Sequence, residues 1–243
     1  MTLETILDVG MKLAMIFGPI AGYVDQYFAI RRTKTSAGFS LTTCGILLIS
    51  SILRVFFWLG DRFDTTLLYQ SLVMIISQVI LLEICLRYKA DSQWPVQSGF
   101  WNWPTFGHYV RFLALFTGGV VAAYILFGSF PSFIGILGYL SMGIEATVPM
   151  PQAYFNYTRK SVSGFSIVII GTWFLGDVFK TQYYYFHDVP FQFLLCGMIQ
   201  LSMDCIICFQ LWKYSDSTKA YNSNDKDPLL DLPMHQLRNN RSR

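Results

Sequence analysis

Residues 149–166, PMPQAYFNYTRKSVSGFS, decide the fold because the chain contains a second copy of them. Residues 23–40 read YVDQYFAIRRTKTSAGFS, and an offset of 126 positions aligns the two stretches without a gap. Both stretches end in Gly-Phe-Ser, and the alignment continues until Lys180 falls on Arg54. Many membrane transporters are built by internal duplication, with the working site between the two halves. The duplication therefore indicates a transporter-like class of protein.

The composition around these copies is that of a membrane protein. The 243 residues are 53% hydrophobic and 14% charged, and the mean hydropathy is +0.41. Soluble domains usually carry about 25% charged residues. The net charge of +3 is too small to indicate a nucleic-acid partner. We therefore expect an all-α, polytopic membrane protein, because helices satisfy their own backbone hydrogen bonds in lipid.

Seven stretches of about twenty apolar residues are long enough to cross a bilayer. They form two three-helix repeats joined by a linker helix, a 3+1+3 arrangement. The spans lie near Met11–Ile30, Phe39–Leu59, Thr66–Leu86, Tyr109–Phe127, Ser132–Phe155, Phe165–Phe186 and Phe191–Trp212. The predicted regions are a first repeat (1–86), an interfacial connector with the linker helix (87–130), a second repeat (131–212) and a disordered cytosolic tail (213–243).

The distribution of Lys and Arg predicts the orientation of the spans. Basic residues concentrate in the connectors after the first, third and fifth spans and in the tail. The loop after the second span carries Arg62, which Asp61 and Asp64 balance. Since basic loops stay in the cytosol, we expect a lumenal N-terminus and a cytosolic C-terminus.

The tail contains a short sorting motif. Asp225 stands four residues before Leu229 and is followed by the pair Leu229-Leu230. This spacing resembles an adaptor-binding dileucine signal for endosomes or lysosomes, which implies a clathrin adaptor as partner. Incidental leucines in a solvated tail are the alternative interpretation.

Ionisable side chains within the predicted spans are functional candidates, because charge is costly at bilayer depth. Asp177 and Lys180 are three positions apart and share a helix face, and Arg54 is the counterpart of Lys180 in the first repeat. Internal ion pairs are possible, for example Asp25 with Arg54 or Asp204 with Lys180. The candidates for a transport path or lipid groove are Asp25, Gln26, Arg54, Glu145, Pro151, Gln152, Asp177, Lys180 and Asp204.

These charges also have a structural interpretation. Buried ion pairs can fix helix register, and Arg54 and Lys180 lie toward predicted lumenal ends, where long side chains can snorkel. Asp177 and Glu145 lie nearer mid-span, where a carboxylate can exchange a proton or contact a lipid headgroup. The sequence has no metal-ligand cluster, nucleophile–base pair or phosphate loop. We therefore expect neither a metal or cofactor nor an enzymatic activity.

Prolines inside the spans predict hinges, because proline removes a backbone hydrogen bond and kinks a helix. Span five contains Pro149 and Pro151. In span one the position of Pro151 is taken by Asp25, and Pro19 lies about two turns earlier. The two repeats are therefore not expected to bend alike.

The duplicated Pro-Gln region, the basic Ser-rich turn and Gly-Phe-Ser, set in seven predicted spans, resemble the PQ-loop family. Residues 51–58 (SILRVFFW) and 176–181 (GDVFKT) resemble its branch called PQ-loop repeat-containing protein one, the member-two branch of solute carrier family sixty-six. That branch includes a fungal antagonist of phospholipid flippases. The resemblance covers about residues 17–212. It implies phospholipid scrambling, lipid partners, residence in endosomes and the trans-Golgi network, and a role in endosome-to-Golgi retrograde transport.

Two other functions stay open. The wider family and the carboxylates Glu145, Asp177 and Asp204 favour a proton-coupled exporter of a small organic solute from an acidic organelle. The basic loops and the tail favour a non-transporting receptor or scaffold. A carrier needs a closed central cavity with two gates, whereas a scramblase needs a groove that opens sideways to lipid.

Overall fold

The computed structural model describes residues 3–36, 41–88, 101, 103–159 and 167–224, and these residues form eight α-helices. The helices are α1 (Leu3–Thr33), α2 (Leu41–Asp61), α3 (Thr65–Arg87), α4 (Phe106–Phe127), α5 (Pro131–Ala146), α6 (Met150–Arg159), α7 (Ile167–Phe186) and α8 (Phe191–Asn224). Within the described residues, α1 to α4 and α8 are long and apolar enough to cross a bilayer. The chain is therefore an all-α, polytopic membrane protein, as expected, and the number of seven spans stays a prediction.

Predicted span five is divided into two helices. A turn at residues 147–149 separates α5 from α6. Pro149 contributes to this break, because it has no N–H to donate to the carbonyl of Glu145, four residues earlier. The break coincides with the predicted hinge at Pro149 and Pro151, whereas Pro19 lies inside the continuous α1. The two repeats thus differ in helix continuity, while bending at these prolines stays a prediction.

The described residues divide into two compact units. The first unit falls within Met1–Val148 and Leu175–Leu201, and the second within Pro149–Phe174 and Ser202–Arg243. Helices α7 and α8 each contribute one part to each unit. In the second unit, the Gln210 side-chain amide of α8 donates to the Ala153 carbonyl of α6 at 2.9 Å.

The core of the first unit forms where α2 packs against α3 and α5, and α1 packs against α3. A Cβ atom added to Gly138 of α5 would lie only 2.7 Å from the ring of Phe57 on α2. Small residues commonly permit such close helix contacts in membranes. The Phe57 ring also stacks against Phe193 of α8, with 6.1 Å between ring centroids. The core therefore joins helices of both repeats.

Part of the predicted interfacial connector is buried. Trp101 is only 7% exposed, and its ring packs against Gly45 of α2 and in edge-to-face contact with Tyr109 of α4. The Tyr109 hydroxyl accepts a hydrogen bond from the Trp103 amide at 2.9 Å. Aromatic burial therefore fixes the end of the connector against the helices, while residues 89–100 lie outside the described residues.

Helix α8 continues to Asn224, beyond the predicted end of the last span at Trp212. Residues 213–224, which the composition assigns to a disordered tail, are thus helical. Extending an existing helix requires no new nucleus, so a polar segment can continue it. The sorting motif, with Asp225, Leu229 and Leu230, lies outside the described residues.

Candidate functional site

Arg54 of α2 forms an ion pair with Glu145 of α5 inside the first unit. The two side chains are only 4% and 12% exposed. Burial makes such a pair necessary, because removing a charge from water carries a penalty of several kcal/mol. The pair connects the first repeat to the second. Asp25, one partner suggested by the sequence, is instead exposed on α1.

Lys180 of α7 extends this pair into a cluster. Its ammonium nitrogen lies 3.6 Å from Glu145 Oε1 and 3.4 Å from Asp177 Oδ1. The structure therefore brings Asp177 and Lys180 together at the expected three-residue spacing. We call Arg54, Glu145, Asp177 and Lys180 the ion cluster. Its two cations and two carboxylates sum to zero formal charge when all four side chains are ionised.

Each cation of the ion cluster also contacts a buried glutamine on a following helix. Arg54 donates to Gln70 Oε1 of α3 at 3.4 Å, and Lys180 donates to Gln200 Oε1 of α8 at 3.1 Å. Neither glutamine is among the sequence candidates, because a neutral amide in an apolar span carries a smaller desolvation penalty than a charge, and the 126-position offset does not align the two. The signal that would have found them is an amide inside an otherwise apolar span.

The carboxylates of the ion cluster do not follow the duplication. At the same offset, Glu145 corresponds to Pro19, and Asp177 corresponds to Ser51. The first repeat thus supplies a cation and a glutamine, whereas the second supplies a cation, a glutamine and both acids. The charges balance only when the two repeats are combined.

Aromatic rings pack beside the ion cluster. The guanidinium carbon of Arg54 lies 5.7 Å from the ring centroid of Phe193. Tyr184 packs against the same ring, with 5.4 Å between centroids, and is 5% exposed. Tyr184 is therefore part of the buried core of the first unit. Attraction between a cation and a ring is strongest when water is excluded.

A small apolar crevice lies between α5 and α8, next to the turn of α5 that carries Glu145. Its volume is about 80 Å³, and Tyr139 and Gly143 on its wall are exposed. The crevice is lined by Tyr139, Met142, Gly143, Ala146, Gln192, Leu195, Cys196 and Ile199.

The other sequence candidates have separate environments. Gln26 is partly buried on α1. Pro151 and Asp204 belong to the second unit, in which Asp204 is only 3% exposed. The Gln152 side chain lies outside the described part of the chain. The structure therefore gathers four of the nine candidates, those of the ion cluster, into one site.

Asp64 ties the α2–α3 connection to α7. Its carboxylate accepts hydrogen bonds from the Tyr183 hydroxyl and, as the N-cap of α3, from the Thr66 amide at 2.9 Å. Burial raises the pKa of Asp64, but these hydrogen bonds to the charged form outweigh burial and hold the pKa below its ordinary value. From the sequence, Asp64 is expected only to balance the charge of Arg62; its hydrogen bonds to Tyr183 and Thr66 depend on the packing of α7.

Residues 133–193 match the family model described as PQ loop repeat. The chain contains a PQ-loop repeat. This segment holds Glu145, Asp177 and Lys180, whereas Arg54 comes from the first copy of the duplication.

The similarity to a fungal protein covers more of the chain than the match to the PQ-loop repeat. The chain is similar to "Scramblase ANY1" of Saccharomyces cerevisiae (strain ATCC 204508 / S288c), with 26% identity over 270 aligned residues. The alignment covers 79% of this chain and 67% of the yeast protein. The resemblance to PQ-loop proteins and to a fungal member of that group is thereby confirmed.

Proposed function

We propose that this PQ-loop protein scrambles phospholipids, opposing flippases, and that the ion cluster contacts the lipid headgroup on its way across the bilayer. One observation carries the proposal: four balanced charges from both repeats form one cluster, in which Arg54 is buried and the other three side chains are partly buried. The crevice between α5 and α8 lies beside them. The similarity to a yeast protein named a scramblase supports the same activity.

The chemistry of the cluster suits a phospholipid headgroup. Arg54 and Lys180 carry the charge that attracts a phosphate, and Glu145 and Asp177 carry the charge that attracts an ammonium group. Polar groups cross hydrocarbon at a high free-energy cost unless other polar groups replace their water. Glu145 contacts both cations, so it retains one partner when the other turns to a phosphate. Scrambling alters no covalent bond, which agrees with the expectation of no enzyme and no cofactor.

The cellular setting belongs to the same proposal. The protein resides in endosomes and the trans-Golgi network, with a lumenal N-terminus and a cytosolic C-terminus, and supports endosome-to-Golgi retrograde transport. The cytosolic tail binds a clathrin adaptor through Asp225, Leu229 and Leu230. Support comes from the basic connectors and the tail motif in the sequence.

A second candidate function is a proton-coupled exporter of a small organic solute. Asp177 favours it, because this carboxylate is 21% exposed and its ion pair with Lys180 spans 3.4 Å. A partly exposed carboxylate can contact a polar solute directly, and a few such polar groups orient a ligand in a binding site.

Reconstituted liposomes test the proposal. The purified protein is placed in vesicles that contain a fluorescent phospholipid, and a membrane-impermeant agent quenches the outer leaflet. We expect quenching well beyond half of the signal, against about half in vesicles with inert membrane proteins. Asp177→Asn should slow the exchange, whereas Asp8→Asn, which breaks the exposed Lys12–Asp8 pair, serves as the matched control. Quenching that stops at half would refute scrambling and move the test to solute uptake into acid-inside vesicles.

A further inference from the structure

Pro19 leaves a carbonyl group in α1 without its helical partner. Proline has no N–H, so the carbonyl oxygen of Met15, four residues earlier, receives no hydrogen bond from position 19. Met15 is completely buried, so bulk water does not reach it. Inside a membrane such a carbonyl is satisfied by another protein group.

Gln70 of α3 supplies that group. Its side-chain nitrogen donates to the Met15 carbonyl at 3.0 Å, and its oxygen accepts from Arg54 at 3.4 Å. Gln70 is only 3% exposed. One buried amide therefore connects the proline site in α1 to the ion cluster.

We propose that Gln70 is a positioning residue that couples bending of α1 at Pro19 to the pairing of Arg54 with Glu145. A change in the bend moves the Met15 carbonyl relative to α3. The Gln70 amide then follows the carbonyl or loses a buried hydrogen bond, and either event alters its contact with Arg54. Buried amides rarely remain without partners, so the carbonyl and the guanidinium move together.

Arg54 is able to respond to this change. Its Nε atom is buried and has no hydrogen-bond partner among the described residues. When Gln70 turns away, the guanidinium has further donors for a phosphate oxygen. In the second repeat, the residue four positions before Pro149 is Glu145, the partner of Arg54. No intermediate side chain is therefore needed to connect Pro149 with the ion pair. Both proline sites thus lead to the Arg54–Glu145 pair.

A thermodynamic cycle tests the coupling without any transport assay. Pro19→Ala restores an N–H for the Met15 carbonyl, and Glu145→Asp shifts the partner of Arg54 while keeping its charge. Unfolding of the full chain in micelles measures whether their effects add. We expect a deviation from additivity of about threefold or more in the unfolding equilibrium constant, because linked neighbours show such interaction energies.

The same cycle is then measured in a Gln70→Leu background and in a Gln78→Leu background. Gln78 is a matched control, since it is fully buried on α3 and its amide nitrogen contacts only Met74 Sδ, at 3.5 Å, among the contacts of the described residues. The deviation should vanish with Q70L and persist with Q78L. Additive effects in the wild-type background, or a deviation that survives Q70L, would overturn the proposal.

The role in lipid transport rests on the proposed function and has its own readout. In the double variant P19A/Q70L the Met15 carbonyl regains a partner, so stability should recover relative to Q70L alone. Scrambling should stay at least about threefold slower than in the wild type, because α1 no longer acts on Arg54. If scrambling and stability both recover in P19A/Q70L, Gln70 has only a structural role. A wild-type chain that fails to scramble would refute the proposed function and leave the stability cycle to decide the coupling.

Discussion

Replacing Glu145 by Gln removes the carboxylate that contacts both cations of the ion cluster. The side chain keeps its size, but the cluster changes from zero to +1 formal charge. Arg54, 4% exposed, then loses its carboxylate partner in the described structure. Breaking a buried pair by removing one partner destabilises a protein by about 3–5 kcal/mol. We expect about 3 kcal/mol, because Arg54 retains Gln70 and the Phe193 ring.

The variant Asp177→Asn is the reference against which the loss of stability in Glu145→Gln is compared. Asp177 is 21% exposed, and Lys180 keeps Glu145 and Gln200 when the Asp177 charge is removed. We therefore expect a loss of about 1 kcal/mol or less. The measurement is denaturant unfolding in micelles, followed by tryptophan fluorescence. At about 1.4 kcal/mol per tenfold, E145Q should raise the unfolding equilibrium constant more than about a hundredfold, and D177N about fivefold or less.

A second change separates charge from shape. The double variant R54Q/E145Q removes both charges, leaving Lys180 paired with Asp177. It should regain part of the stability lost in E145Q, because no buried charge is left without a partner. If E145Q is as stable as D177N, the ion pair contributes nothing to stability. The same conclusion follows if the effects of R54Q and E145Q simply add in the double variant.

Three further outcomes follow from other contacts. Gly138→Ala should destabilise the protein by about 1–3 kcal/mol in the same unfolding assay, because the new Cβ meets the Phe57 ring; Gly135→Ala, which has open space around it, is the control and should be nearly neutral. The depressed pKa of Asp64 contributes stability that is present above the ordinary Asp value and is lost as the pH falls through the folded-state pKa. Tyr183→Phe removes one hydrogen bond that depresses this pKa, so the acid limb of the stability profile should move to higher pH; an unmoved limb would contradict the role of Asp64. Leu229→Ala with Leu230→Ala should shift the full-length protein toward the cell surface in microscopy, whereas Leu237→Ala should not; unchanged localisation of the double variant would argue against the sorting signal.

The helices were predictable from the sequence because hydrocarbon imposes a strong constraint on the backbone. Predicted span two, Phe39–Leu59, and the observed α2, Leu41–Asp61, differ by two residues at each end. The contact of Asp177 with Lys180 was also predictable, because side chains three positions apart on one helix lie on the same face. These inferences need only local geometry.

The partner of Arg54 was not predictable in this way. Glu145 stands 91 positions later, and helical periodicity states which face a side chain occupies but not which helix packs against that face. Asp25 was an equally reasonable partner until the packing of α2 against α5 was known. The role of Gln70 was not predictable for a different reason. A neutral amide in an apolar span carries a smaller desolvation penalty than a charge, so it gives a weaker signal of function.

The unequal distribution of acids between the repeats has a mechanical consequence. Two complete copies would each have balanced their own cation, and either repeat could then move without disturbing a charge in the other. Here the first repeat brings Arg54 without an acid of its own in the cluster, and Glu145 of the second repeat neutralises it. Any rearrangement of α2 relative to α5 therefore separates opposite charges in a low-dielectric environment unless another ion replaces the lost partner. Under the proposed function, a headgroup that carries a phosphate is such a replacement, so the asymmetry would link movement of the helices to the presence of lipid.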